Sequence, residues 1–164
     1  MLRIQRKMKS LYFMSTMLII LCLSVIVGCA DNRAEPSKAS AEEVGQQIEK
    51  AVSLDEMKKR DKSKLQKLYS VESETVEDFI LYTASSNVKA DELLVLKVKE
   101  TEQVAGVKEK ILKRIEEQTV KFKDYRPDEY FLIENHVLAI KGRFILFAVS
   151  KDADFIEQAF NDAL

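Results

Sequence analysis

The sequence has few of the residues that carry most covalent catalysis and metal binding. It contains one histidine, His136, two cysteines, no tryptophan and four well-separated glycines. One histidine cannot supply a pair with metal-ligand spacing, and scattered glycines cannot form a phosphate-binding loop. No serine stands in a Gly-x-Ser-x-Gly motif, which excludes a hydrolase nucleophile of that type. These shortages predict no catalytic residue, no metal and no cofactor, and they favour a binding module over an enzyme.

The first 29 residues have the layout of an export signal. Four cations within the first nine residues precede an uncharged stretch, residues 10–28, and Cys29 follows it. A basic start, an apolar middle and small residues before a cleavage site characterise secretory signals. The last four residues, Ile26-Val27-Gly28-Cys29, resemble the lipobox of bacterial lipoproteins, in which the cysteine is acylated and the chain is cut just before it.

The lipobox predicts three parts: a signal peptide (1–28), a lipidated Cys29 with a polar tether (29–39) and one domain (40–164). The resemblance implies a diacylglyceryl anchor, and therefore permanent attachment to the outer face of the cytoplasmic membrane. A flexible tether of ten residues spans about 15–20 Å. The alternative is an uncleaved membrane anchor, because residues 10–28 are about long enough to cross a bilayer. Both interpretations export the same domain.

Removal of the signal makes the protein more acidic. The full chain carries 26 cations and 27 anions, and the signal takes away four cations and no anion. This acidic balance, together with export, excludes nucleic acid as an expected partner. Cys22 leaves with the signal, so the mature chain has no second thiol for a disulfide or a thiolate metal site. The domain must therefore be held together by packing alone.

Periodicity predicts an α+β domain. Ser40 and Glu43 fit a capping box at the start of the first helix. We expect N-terminal helices and then an antiparallel sheet of about four strands in two hairpins, with helices packed mainly on one face. The predicted strands are residues 79–84, 92–99, 137–140 and 144–149, and the later helices are 55–69 (broken), 102–122, 128–134 and one from Asp152. Strand 144–149 is apolar throughout and is expected at the sheet centre, whereas Lys97 predicts a partly wet face for strand 92–99.

Two segments are candidate binding surfaces. The first is a basic run, Lys58, Lys59, Arg60, Lys62, Lys64 and Lys67, which could face anionic lipid headgroups or wall polymers. Its alternative is a solvated helix face. The second is a tyrosine loop with residue types favoured at interaction hot spots, namely Tyr125, Arg126 and Tyr130. Its alternative is that the tyrosines fix a helix end to the sheet.

Carboxylates keep an enzymatic alternative open. Asp91 and Glu92 adjoin at the predicted start of a strand, and further acids crowd residues 70–78. Adjacent residues on a strand point to opposite faces, so we expect this pair to diverge into solvent. A small envelope hydrolase would instead require two acids that converge in a pocket, one with a raised pKa.

The C-terminal part of the chain, residues 65–164, resembles a family of small lipoproteins from Gram-positive bacteria, domain of unknown function 4358. Three segments carry the likeness: Phe122-Lys123-Asp124-Tyr125-Arg126-Pro127, the hairpin Lys141-Gly142-Arg143 and the cap Ser150-Lys151-Asp152-Ala153-Asp154. The resemblance implies fold and location and transfers no catalytic role.

The sequence therefore favours a non-enzymatic, lipid-anchored module that binds an envelope protein or an anionic polymer. The carboxylate hydrolase is the first alternative. A solute-binding lipoprotein is the second, although a mature chain of 136 residues is small for a two-lobed clamp.

Overall fold

A computed structural model describes residues 38–164, which form five helices and five strands. The helices are α1 (Ala41–Ala51), α2 (Lys62–Tyr69), α3 (Gln103–Phe122), α4 (Pro127–Glu134) and α5 (Ala153–Ala163). The strands are β1 (Met57–Lys59), β2 (Val76–Ala84), β3 (Glu92–Val98), β4 (Val137–Lys141) and β5 (Phe144–Val149). The predicted signal peptide, Cys29 and most of the tether lie outside the described residues. In this described part, each helix is too short or too polar to cross a membrane.

The strands form one antiparallel sheet in the order β1-β2-β3-β5-β4. The predicted α+β class and both hairpins, β2–β3 and β4–β5, are confirmed. The sheet has five strands instead of the predicted four, because residues within the predicted broken helix add a short edge strand. In that strand Met57 pairs with Ala84 and Lys59 with Tyr82. Three residues are too few to show an alternating pattern, and lysines are common on edge strands because they discourage pairing with other chains.

Helices cover both faces of the sheet, so the prediction of helices mainly on one face is wrong. Leu93 and Val95 of β3 belong to an apolar cluster with α1 and α5, which includes Ile48 and Phe160. The alternate β3 residues join a second cluster with α2, α3 and α4, which includes Ile111 and Ile133. The N-terminal helix α1 and the C-terminal helix α5 pack together on the first face. They cover the face of β3 that the sequence predicted to be partly exposed to solvent.

The two central strands are buried along their whole length, β3 as well as β5. This confirms that β5 is an interior strand covered on both faces, and it corrects the partly wet face predicted for β3. Lys97 is buried because its Nζ lies 2.8 Å from Glu77 Oε1 and donates to the Ala39 carbonyl at 3.0 Å. The charge of Lys97 is therefore paired with Glu77, although the sequence predicted that this side chain would face solvent.

Local signals at the helix start and the hairpin turn are confirmed. The Ser40 hydroxyl accepts from the Glu43 backbone N–H, and the Glu43 side chain accepts from the Ser40 backbone. Asp78 also accepts from the Ala41 N–H at 2.7 Å, which fixes the chain entry to one end of β2. Gly142 has φ +58 in the β4–β5 turn, a conformation that glycine adopts without strain.

Candidate functional site

A carboxylate lies where the sheet pattern calls for an apolar side chain. Alternation along β3 turns Glu92 toward the same face as Leu94 and Leu96, under α2 and α3. Glu92 is only 1% exposed, and its cross-strand partner on β2 is Thr83. Burying a charge is costly unless it is paired and hydrogen-bonded. The protein must therefore supply donors at this end of the sheet.

Three side chains supply four hydrogen bonds to Glu92. The Tyr69 hydroxyl, at the end of α2, and Arg114 Nε donate to Oε1, the latter at 3.1 Å. Arg114 Nη2 donates to Oε2 at 2.7 Å, and Gln118 Nε2 donates to it at 2.9 Å. Arg114 and Gln118 lie one turn apart on α3 and so reach the same carboxylate. We call these four residues the Glu92 network.

The network changes the proton affinity of its own members. Burial raises the pKa of the Tyr69 hydroxyl well above its ordinary value, and the adjacent Glu92 carboxylate raises it further. Burial disfavours the charged form of Arg114, but Glu92 more than offsets this, so the pKa of Arg114 is raised. Tyr69 therefore stays a hydroxyl donor and Arg114 stays a cation at any physiological pH.

A polar cavity of about 350 Å³ lies directly beyond this network. It is bounded by the ends of β2 and β3, the 85–87 turn and the facing sides of α2 and α3. We call it the basic cleft, because five of its lining residues are basic and only Asp91 and Glu92 are acidic. The basic lining residues are Arg60, Lys64, Lys89, Arg114 and Lys121.

Three of these cations have no acidic partner in the part of the chain that the structure describes. Within residues 38–164, no carboxylate forms an ion pair with Arg60, Lys64 or Lys121. Arg60 is held in place because its Nε donates to Thr83 Oγ1 at 2.8 Å. Lys89, in contrast, lies 3.0 Å from Glu129 Oε1, and this contact raises the pKa of the lysine. The cleft therefore carries an uncompensated positive charge and fixed guanidinium donors.

Asp91 borders the cleft beside the network. Burial raises the pKa of its carboxyl, and the carboxylates of Glu129 and Glu56 raise it further. The expectation that Asp91 and Glu92 diverge into solvent is wrong for Glu92, which is buried, and both residues line the basic cleft. The cause is that the α2–α3 layer extends past the first residue of β3.

The predicted basic run divides into separate places. Lys58 and Lys59 lie on the edge strand β1, and Lys62 lies on α2. Lys59 Nζ is 2.8 Å from Glu42 Oε2. A second cavity of about 370 Å³ adjoins the basic cleft, shares Arg60 and Lys64 with it, and is otherwise lined by Lys59, Asp61, Ser63 and Lys67. Lys58 and Lys62 line neither cavity.

The tyrosine loop lies apart from the basic cleft. Tyr125 is 75% exposed between α3 and α4. Arg126 precedes α4, with its Nη2 3.9 Å from Glu129 Oε1. Tyr130 packs against the core and donates to Glu134 Oε1 at 2.6 Å. The structure therefore does not join the two predicted surfaces into one.

Sequence reasoning missed Tyr69, Arg114 and Gln118, although α3 carried a usable signal. The buried stripe of α3 includes Val107, Ile111, Gln118 and Phe122, and Arg114 falls on the same side. Polar residues within an apolar stripe indicate a buried partner of matching polarity. Glu92, at an inward position of β3, is that partner.

The side chains around the cleft determine which groups it could hold. Among residues 38–164, no three His, Cys, Asp or Glu side chains are grouped so that they could hold a metal ion. Arginine and lysine side chains around a cleft are suited to carboxylate and phosphate groups.

Comparison with known proteins places the chain in a family. Residues 50–150 match the domain of unknown function DUF4358. The chain belongs to this family. The match spans the whole sheet, α2–α4 and every residue that lines the basic cleft. No curated protein and no solved structure matches the chain. The match confirms the family that the resemblance named, but it covers residues 50–150 instead of 65–164. It assigns no activity to any residue.

Proposed function

We propose that this DUF4358 protein is a lipid-anchored, extracytoplasmic binding module that takes an anionic envelope component in its basic cleft. The observation that carries the proposal is a set of three cations around a concave polar site, Arg60, Lys64 and Lys121, which form no ion pair within residues 38–164. A charge-assisted hydrogen bond from a positioned guanidinium is stronger than one between neutral groups. An anionic ligand would compensate these charges without competing with an internal carboxylate.

The Glu92 network supports binding in preference to turnover. Both Glu92 oxygens already accept two hydrogen bonds each, so this carboxylate has little capacity left to contact a substrate. Its role in the proposal is to hold Arg114 at the cleft wall, where the side chain remains 15% exposed. Arg114 thereby becomes part of a rigid floor beneath the ligand.

Attachment through Cys29 is the second part of the proposal. The lipobox-like sequence and the polar residues after it support a lipoprotein of a Gram-positive envelope. Tethering raises the effective concentration of the domain near other envelope components, so a weak interaction in the cleft suffices.

The binding part is tested by thermal unfolding of the full chain with orthophosphate, against chloride at matched ionic strength. At ten times its dissociation constant, orthophosphate adds about 1.4 kcal/mol of stability, which raises Tm by a few °C. Arg60→Gln should abolish this rise, whereas Lys50→Gln, an exposed lysine on α1, should keep it. A rise that is equal in all three proteins would contradict a specific cleft.

The attachment part is tested by metabolic palmitate labelling and membrane fractionation of wild type and Cys29→Ala. Wild type should carry label and sediment with membranes, and Cys29→Ala should carry none. If the wild type sediments with membranes without label, the uncleaved membrane anchor becomes the better interpretation.

The envelope hydrolase remains a second candidate because of Asp91, whose raised pKa suits a general acid. Glu92 lines the same cleft. The test is incubation of wild type and Asp91→Asn with purified wall fragments, followed by mass spectrometry. The hydrolase predicts products with wild type only, whereas the binding module predicts none with either protein.

A further inference from the structure

Arg60 and Lys64 line both cavities beside α2, so the basic cleft and the second cavity are neighbours along this helix. We call the linings of the two cavities together the basic groove. Lys121 lines only the first cavity and Lys67 only the second. A site for a single small anion needs one cavity, whereas this groove presents cations along two.

Four groove cations are available to a ligand. Within the described part of the chain, Arg60, Lys64, Lys67 and Lys121 form no ion pair. Arg60 and Lys64 can contact an anionic group in either cavity, whereas Lys121 lines only the basic cleft and Lys67 only the second cavity. A ligand with two anionic groups in series, one in each cavity, can therefore use all four cations.

The chain entry and the basic cleft lie at opposite ends of β3. The cleft lies at the Glu92 end of β3, and Lys97, near the opposite end, binds the Ala39 carbonyl. At about 3.3 Å per residue, these two β3 residues are roughly 17 Å apart.

We infer that the basic groove binds an extended polyanion of the cell wall, with successive anionic groups of one polymer chain in its two cavities. This inference rests on the proposed anionic ligand and adds its chemical class. Several weak charge-assisted contacts along one polymer act together, so the affinity for a chain exceeds that for its isolated anionic group. The interaction weakens as salt screens the cations.

The experiment uses the full chain in phosphatidylcholine nanodiscs, titrated with long-chain inorganic polyphosphate or with orthophosphate at constant ionic strength. Polyphosphate should bind at least about tenfold more tightly per phosphate group. Lys67→Gln and Lys121→Gln should each weaken polyphosphate binding about threefold to tenfold, and Lys67→Gln should leave orthophosphate binding unchanged. Lys50→Gln is the matched control and should behave like wild type.

Failure of the inference is distinguishable from failure of the proposed function. If orthophosphate and polyphosphate bind equally per phosphate and Lys67→Gln has no effect, the extended groove is overturned while the anionic cleft stands. If neither probe binds, both are overturned.

A lipid ligand is tested separately by acetylation of the groove lysines, read by mass spectrometry. Polyphosphate should slow the acetylation of Lys64 and Lys121, and addition of phosphatidylglycerol to the discs should not. Equal protection by phosphatidylglycerol would overturn the wall polymer in favour of the membrane surface.

Discussion

Glu92 determines how the cleft end of the sheet is built. It occupies an inward position of β3, where the pattern calls for an apolar residue. The three side chains that bind it come from α2 and α3. The network therefore connects α2 and α3 to β3, and it also forms the floor of the basic cleft. Its members are coupled, because removal of one leaves the others with unpaired buried groups.

We predict that Glu92→Gln lowers the free energy of unfolding by about 3–5 kcal/mol, since Arg114 keeps a buried charge without its partner. Tyr69→Phe removes one donor to a charged acceptor and should cost about 1.5–3 kcal/mol. Urea unfolding of both variants measures these losses. Glu74→Gln changes an exposed acid and should stay within about 0.5 kcal/mol of wild type. A cost for Glu92→Gln as small as that of Glu74→Gln would contradict the network.

Asp91 makes the stability of the folded state fall as pH rises, whereas a paired carboxylate makes it rise. Its pKa is raised in the folded protein, so the native state holds the proton more tightly than the unfolded chain does. Stability is therefore lost as pH rises from the ordinary value of 3.8 through the raised pKa. We predict that Asp91→Asn is more stable than wild type at neutral pH and that the difference disappears below that window. Urea unfolding across pH 3–8 measures the difference in stability between the two proteins. A difference that does not change with pH would contradict the raised pKa of Asp91.

Among the elements, α1 depends on a close approach to β2. A Cβ at Gly45 would lie 2.5 Å from Ile80 Cδ1, whereas a Cβ at Gly106 on α3 would meet nothing within 4 Å. We predict that Gly45→Ala destabilises by about 1–3 kcal/mol through overpacking. Ile80→Val removes Cδ1 and should make Gly45→Ala tolerable in the double variant. Gly106→Ala is the matched control and should stabilise by about 0.5–1 kcal/mol. Denaturant midpoints are measured for Gly45→Ala, Ile80→Val, the double variant and Gly106→Ala, each against wild type. An unchanged midpoint for Gly45→Ala would contradict the close approach of α1 to Ile80.

Elements with strong local signals were predictable, and those set by partners were not. The Ser40 capping box and the Gly142 turn depend on neighbouring residues, so the sequence contains their cause. The apolar run of β5 was sufficient to predict an interior strand that is covered on both faces. By contrast, β1 exists because β2 offers an unpaired edge, and the burial of Lys97 depends on Glu77 and the chain entry. No local window contains those partners.

The candidate site was less predictable than the fold for the same reason. The basic run identified Arg60 and Lys64 as candidate ligand contacts, but it also included Lys58 and Lys62, which line neither cavity. Whether a lysine lines a cavity is decided by the orientation of β1 and α2. Arg114 could have been found only by linking its place on the α3 stripe to the inward position of Glu92, a pairing between distant segments.

At the largest scale that the structure describes, residues 38–164, two helical layers enclose the sheet, and the cleft lies at one end of it. The chain enters the domain where Lys97 holds Ala39, and the basic cleft lies at the other end of β3. Family membership covers the sheet and the cleft together, so the proposal extends to other members only where they keep the groove cations.

The measurement that tests the central claim most directly is photo-cross-linking in intact cells from Asn87, which lines the basic cleft. A photoreactive amino acid replaces Asn87 in the full chain, and a second protein carries it at Lys50 on the other face as control. Mass spectrometry of the purified adducts should show an anionic wall polymer attached at position 87 and absent at position 50. Adducts at position 87 that consist only of phospholipid, only of protein, or of the same species as at position 50 would contradict a polyanion-binding cleft.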